Sequence, residues 1–251
     1  MTKPIKIALC LSGEPRYSMF CFPYIYESLI NLGNNYKVDV FCYFRKPFRA
    51  FYSYKPRSYF YEPFFEKEVW KFIDSLKLPD VLQKNKNFYD SYTQQTNLII
   101  NPILMFDGMY KSFNIANNYD SYDIYIRSRY DLYTKNYFDI HPIIENIMLK
   151  KYDLFIPEKH SIKSEQDIEN IEYNDQFAIG NFKGMEKYVN VLSDLTNLLK
   201  STKEWRGERW LFDYLNNTDI KIYQEYIHSN LIREVVIGTD DFSPDHTYID
   251  V

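Results

Sequence analysis

Glycine is scarce, with 7 residues in a chain of 251. That excludes collagen-like repeats, glycine-rich linkers and glycine-rich phosphate loops, all of which depend on its freedom at positive φ. Cysteine is scarcer still, limited to Cys10, Cys21 and Cys42. None forms a Cys-x-x-Cys pair, and an odd number argues against a disulfide framework. Cys10 and Cys42 lie in apolar runs, where a free thiol packs as a small hydrophobe, so a reducing compartment is expected. Long apolar runs are missing too. No stretch nears the roughly 20 residues of a membrane span. The run at residues 7–11 is too short for a secretory leader and has no cleavage-type site, so a cytoplasmic protein is expected. Positive charge is not in excess either. Lys and Arg number 30 against 34 Asp and Glu, for a net charge of −4, which disfavours a dedicated nucleic-acid binder.

Aromatic side chains are what the chain has in abundance: 25 Tyr, 19 Phe and 3 Trp. Together with frequent Lys, Asn and Ile, they fit the coding bias of an AT-rich genome, so much of this excess needs no functional explanation. Hydrophobic residues make up 45% and charged residues 25%, the balance of a globular chain able to bury a sizeable core. The length suits one large domain spanning residues 1–251.

Residues 5–11 read as a buried strand entering a tight loop at Ser12-Gly13-Glu14-Pro15-Arg16. Cys21, Ile25, Leu29 and Leu32 recur at helical spacing up to Gly33, and residues 38–44 form a second buried strand. This is the order of a right-handed parallel unit. Residues 63–76 suit a helix. Ile99, Ile103, Phe106, Tyr110 and Phe113 mark a long amphipathic helix, with Pro102 in its first turn or at a kink. Residues 123–133 read as the central strand, and 153–156 and 176–179 as short ones. Met185, Val189, Leu192, Leu195 and Leu199 form a helical stripe, and residues 208–216 a shorter helix. Residues 221–223 and 231–237 close the chain as strands. The expected class is α/β, with a mostly parallel, partly mixed sheet flanked by helices.

Ligands of open α/β sheets bind beyond the carboxyl ends of strands. Two such ends carry chemistry here. At the first, Gly13 lets the backbone approach a ligand, Ser12 offers a hydroxyl and Arg16 can grip a phosphate with two hydrogen bonds. The alternative is an ordinary strand-to-helix turn. At the second, Tyr125-Ile126-Arg127-Ser128-Arg129-Tyr130-Asp131, strand alternation puts Arg127, Arg129 and Asp131 on one face. Two guanidiniums there suit a diphosphate, and a single carboxylate with phosphate oxygens suffices for magnesium or manganese. The alternative is a structural Arg129–Asp131 ion pair with Arg127 bonded to a backbone carbonyl.

Those segments, with the helix over residues 105–115, Asn174-Asp175-Gln176-Phe177-Ala178-Ile179-Gly180 and residues 208–215, resemble GT-A-type glycosyltransferases. The resemblance is to the group found in large DNA viruses and bacterial surface-glycan clusters, and the segments occur in its order. It implies a nucleotide-sugar donor, with UDP the favoured carrier, over residues 1–133 and an acceptor-binding, catalytic half over 134–251. Ser12, Gly13, Arg16, Arg127 and Arg129 would hold the donor. Mn²⁺ or Mg²⁺ would sit on Asp131 at an Asp-x-Asp-type site, although Arg129 stands where the first Asp belongs. Asp175 would be the base that deprotonates the acceptor hydroxyl, with Glu208 the runner-up. A turn or cap role for Asp175, and a helix-start role for Glu208, are the plainer alternatives.

His228, His246, Lys111 and Arg233 are weaker candidates for the same site. Residues 45–61 hold five basic residues, two prolines and no acid among many aromatics. This suits an acceptor-binding flap for a glycan, glycolipid or glycoprotein, a peripheral membrane contact, a nucleic-acid surface with stacking aromatics, which the overall acidity disfavours, or a loop packed on the sheet. Inverting sugar transfer is the leading expectation. A non-catalytic nucleotide-sugar or glycan-binding module is the rival. A nucleotidyltransferase would want a glycine- and lysine-rich first loop, which Ser12-Gly13-Glu14-Pro15-Arg16 does not supply.

Overall fold

Unbroken apolar runs become strands buried on both faces, and strand β1 (Ile5–Ser12) is closed to water over its last six residues. The computed structural model describes residues 3–13, 18–44, 58–61, 96–134, 138–158, 173–195, 197–198, 207–226 and 229–231. After β1, helix α1 (Ser18–Ile25) runs into a single π-helical turn, Tyr26–Ile30. Strands β2 (Tyr36–Phe44) and β3 (Ser58–Tyr61) follow, then the long helix α2 (Thr96–Tyr119) with Pro102 inside it. Next come β4 (Ile124–Ser128), β5 (Leu132–Thr134), α3 (His141–Met148) and β6 (Leu154–Glu158). The remaining elements are β7 (Phe177–Gly180), α4 (Phe182–Val189), a 3₁₀ turn at Val191–Asp194, α5 (Gly207–Leu215), β8 (Ile222–Tyr226) and β9 (Ser229–Leu231).

Seven strands form one mixed sheet in the order β3-β2-β1-β4-β7-β6-β8, and β5 pairs with β9 in a separate antiparallel ribbon. Strands β3, β2, β1 and β4 are parallel, β7 runs against both β4 and β6, and β8 is parallel to β6. The α/β class with a mixed sheet and flanking helices is as expected. Alternation sends β1 side chains into two cores. Ala8 and Cys10 face Phe106, Met109 and Phe113 of α2 and Trp210 and Leu211 of α5. Ile7, Leu9 and Leu11 face Cys21, Ile25 and Leu29 and, from α3, Ile143, Ile144 and Ile147. All three thiols are free and buried, and burial pushes those of Cys21 and Cys42 up to about 12.

Two expected elements are corrected. The strand over residues 123–133 breaks: β4 ends at Ser128, a turn holds Tyr130 and Asp131, and the chain resumes as β5 in the other sheet. Arg129 and Asp131 therefore do not continue the face of Arg127. The stripe from Met185 to Leu199 is also interrupted, because α4 stops at Val189, a 3₁₀ turn follows, and residues 195, 197 and 198 are helical again. Of the basic, aromatic segment over 45–61, residues 58–61 form β3, which pairs with β2. The rest of it, and the expected helix over 63–76, lie outside the described residues. No helix among the described residues is long and apolar enough to cross a membrane.

At the end of the sheet where β1 and β4 begin, polar contacts join neighbouring segments. The Lys6 amide donates to Asp123 Oδ2 at 2.8 Å, the Lys6 ammonium pairs with Asp120, and the Tyr122 hydroxyl donates to Asp39 Oδ2 at 3.0 Å. Helix α4 is anchored by Asn181, whose side chain accepts from the Gly184 amide at 2.9 Å and donates to Asp153 Oδ1 at 2.9 Å. This draws the helix so close to β6 that a Cβ on Gly184 would lie 2.2 Å from the Asp153 carbonyl oxygen. The obstacle is backbone and cannot rotate away. Gly184→Ala is expected to destabilise the protein by about 1–3 kcal/mol or more in urea unfolding, despite the higher helix propensity of alanine.

Candidate active site

Strand order reverses between β1 and β4, since β2 lies to one side of β1 and β4 to the other. Their carboxyl ends are thus a topological switch point, where open α/β sheets bind ligands. Ser12 ends β1 there, and Arg127 is the last residue but one of β4. Strand β7 runs against β4, with Ser128 paired to Phe177, so the residues leading into β7 arrive at the same edge. These are Asn174, Asp175 and Gln176.

Arg127 pairs with Cys10 on one side and Ala178 on the other, and points with them toward α2 and α5. It is 1% exposed. Its Nη1 donates to the Gln176 carbonyl at 3.0 Å, whereas Nε and Nη2 have no hydrogen-bond partner among the described residues. Burial pushes its pKa down to about 10, with the Arg129 charge adding to the depression and Tyr188, Asp175 and Asp131 opposing it. At neutral pH it still carries its proton, so a positive charge sits in the sheet with one edge of its fork open. Ser12 is equally buried, and its Oγ has no partner among the described residues. Gly108 of α2 allows the close approach here: a Cβ on it would lie 3.3 Å from the Tyr43 ring and 3.6 Å from Ser12 Cβ. Gly13 takes φ +121°, so backbone conformation demands glycine at this loop entry, while the space around it is open.

Arg129 and Asp131 bond to each other. Arg129 Nε donates to Asp131 Oδ1 at 2.7 Å and Nη2 to Oδ2 at 2.8 Å, the two-pronged geometry of a strong pair. The Asp131 side chain is 2% exposed and that of Arg129 21%. Between them, Tyr130 reaches under the sheet, and its hydroxyl lies 3.1 Å from the Leu11 carbonyl oxygen and 3.2 Å from that of Tyr43. Burial pushes this phenol well above its usual range, so it remains a donor.

Asp175 is buried in front of β7. The turn there is made by Asn174, whose Oδ1 accepts from the Gln176 amide at 2.7 Å and whose carbonyl accepts from the Tyr188 hydroxyl at 3.0 Å. Asp175 is left to face α5, where a Cβ on Gly207 would sit 3.3 Å from its Oδ2. A carboxylate against the first residue of a helix is favoured in its ionised form. Glu208 follows in the first turn of α5, and its carbonyl accepts from the Tyr173 amide at 3.4 Å. Ser12, Arg127, Arg129, Asp131, Asp175 and Glu208 thus gather at one end of the sheet.

Lys111 is engaged with α2 and β2. Its Nζ lies 3.0 Å from Asp107 Oδ2 and 3.3 Å from the Tyr43 hydroxyl. Arg16, His228, Arg233 and His246 lie outside the described residues. The sequence reading missed Tyr130, Gln176, Gly207 and Trp210, whose buried indole Nε1 has no partner among the described residues. Gln176 acts through its carbonyl and Gly207 through its lack of a side chain, neither of which leaves a sequence signal.

Asp131, the residue expected to hold a divalent cation, is engaged by Arg129 in the ligand-free protein. Both carboxylate oxygens are held by Arg129, and among the described residues no three His, Cys, Asp or Glu side chains come together. No family model matches the chain, and no curated protein is significantly similar to it.

The ion pair should behave as a structural unit. Asp131→Leu, which strands a largely buried guanidinium, is expected to cost about 3 kcal/mol. The double variant Arg129→Met/Asp131→Leu should recover part of that loss in urea unfolding, because the guanidinium that Asp131→Leu strands is removed with it.

Proposed function

We propose that the protein is a glycosyltransferase of GT-A type that moves a sugar from a nucleoside-diphosphate donor, UDP favoured, to a hydroxyl of a glycan, glycolipid or glycoprotein. The observation that carries the reading is the convergence at the switch point of a buried guanidinium with an open edge and a buried carboxylate in the turn that leads into the opposing strand. A mostly parallel sheet with a reversed strand beside β4 accords with it, as does the ordered set of segments that resemble this group.

In this reading the donor lies over the ends of β1 and β4. The acceptor oxygen attacks the anomeric carbon as the bond from that carbon to the diphosphate breaks. Asp175 takes the hydroxyl proton, and the nucleoside diphosphate leaves with the bonding electron pair. Attack from the side opposite the leaving group inverts the anomeric centre. Arg127 offsets the charge that develops on the leaving phosphate, worth most where water is excluded. Glu208, near the same corner, is the second choice for base.

A non-catalytic nucleotide-sugar-binding module is the rival, and the observation that favours it is the closed Arg129–Asp131 pair at the usual acid position. The two are separated by incubating the protein with UDP-, GDP-, CMP- and dTDP-sugars and measuring free nucleotide. Specific binding at 100-fold over Kd adds about 2.7 kcal/mol of stability, visible as a thermal shift. An enzyme releases nucleotide from the sugar that stabilises it, and Asp175→Asn then lowers turnover about 10²–10⁴-fold while keeping the shift. A shift without any release selects the binding module. Loss of turnover in Glu208→Gln but not in Asp175→Asn moves the base to Glu208.

A further inference from the structure

Among the described residues, two of the four side chains with a buried, unpartnered polar atom, Arg127 and Ser12, lie at the switch point, the others being Ser28 and Trp210. Nε and Nη2 of Arg127 form the side of the guanidinium that meets an oxyanion with two parallel hydrogen bonds, the same side that Arg129 uses on Asp131. In Arg127 that side has no hydrogen-bond partner among the described residues, although the residue is 1% exposed. Burying a guanidinium this far with only Nη1 bonded is costly. Ser12 Oγ, on the same face of the neighbouring strand, is likewise buried without a partner among the described residues. The carboxylate that would otherwise anchor a cation has both oxygens engaged.

Resting on the donor reading above, we infer that a phosphate of the donor seats directly on the open edge of Arg127, with Ser12 beside it, and needs no divalent cation. Asp131 then serves as a positioning residue that holds Arg129, rather than as a metal ligand. Both receptor groups are closed to water in the ligand-free protein, so binding includes a step that uncovers them and slows association below the ordinary 10⁵–10⁷ M⁻¹s⁻¹.

The test is calorimetric titration of the full chain with UDP, GDP, CMP, dTDP and inorganic pyrophosphate, each in EDTA and again in excess MnCl₂. The expected result is that at least one probe binds in EDTA with no loss of affinity relative to Mn²⁺. Arg127→Met, which keeps the length of the stem and removes the charge, should weaken it about 30-fold or more. Arg127→Lys, which keeps the charge but not the fork, should weaken it about tenfold. Urea unfolding of both variants checks that they are folded, and if the methionine variant is not, the lysine variant carries the test.

Binding that appears only with Mn²⁺ overturns metal independence and leaves the donor reading standing. Binding in EDTA that neither Arg127 variant weakens overturns Arg127 as the receptor. If no probe binds in either condition, the donor reading fails, and this inference with it.

Discussion

Ser128 pairs with Phe177 and Tyr125 with Gly180, so β7 enters the sheet at the edge where β4 leaves it. A parallel β7 would have carried Asn174, Asp175 and Gln176 to the far end of the sheet. The reversal puts the Gln176 carbonyl within reach of Arg127 and brings the start of α5 against Asp175. The polar contacts of Lys6, Asp123, Tyr122 and Asp39 hold the opposite end of the sheet, leaving the reversed strand to define one wall of the site.

Charge in this site is organised by burial. In the Arg129–Asp131 pair both carboxylate oxygens meet the fork of the guanidinium, and buried pairs of this kind add little net stability over an apolar replacement. Arg127 differs. Its hydrogen-bond partner among the described residues is one carbonyl oxygen, its carboxylate neighbours act through space, and its proton affinity is lowered by the cost of desolvation. A group held charged against that cost is an electrostatic resource already in place once an anion reaches it, and fixed charges are most effective in catalysis where water is excluded.

Much of the frame was legible from sequence because doubly buried strands read as continuous apolar runs, as β1 and β2 do. The long helix α2 was legible from its 3.6-residue spacing. The break after Ser128 was not. Arg129, Tyr130 and Asp131 carry no Gly or Pro, and their alternation of charge and aromatic mimics a strand, so nothing local announces the turn. The ribbon of β5 and β9 is also hidden, since three-residue strands are too short to show a period. Helix α3 carries Ile143, Ile144 and Ile147 at helical spacing, but lay in a stretch that was assigned no element. Within the site, the Arg129–Asp131 pair was one of two arrangements open from sequence, and only side-chain geometry chooses it. The gathering of Asp175 and Arg127 depends on strand direction, which periodicity does not encode.

Tyr130 sits in the turn that leaves β4, yet its hydroxyl meets carbonyl oxygens at the ends of β1 and β2. The ends of three strands therefore share one reference point, a single oxygen atom. The end of β1 and the turn that carries Asp131 cannot drift apart without giving up those contacts. Alignment between the two sides of the site is set by the reach of one side chain, much as a dowel fixes two plates.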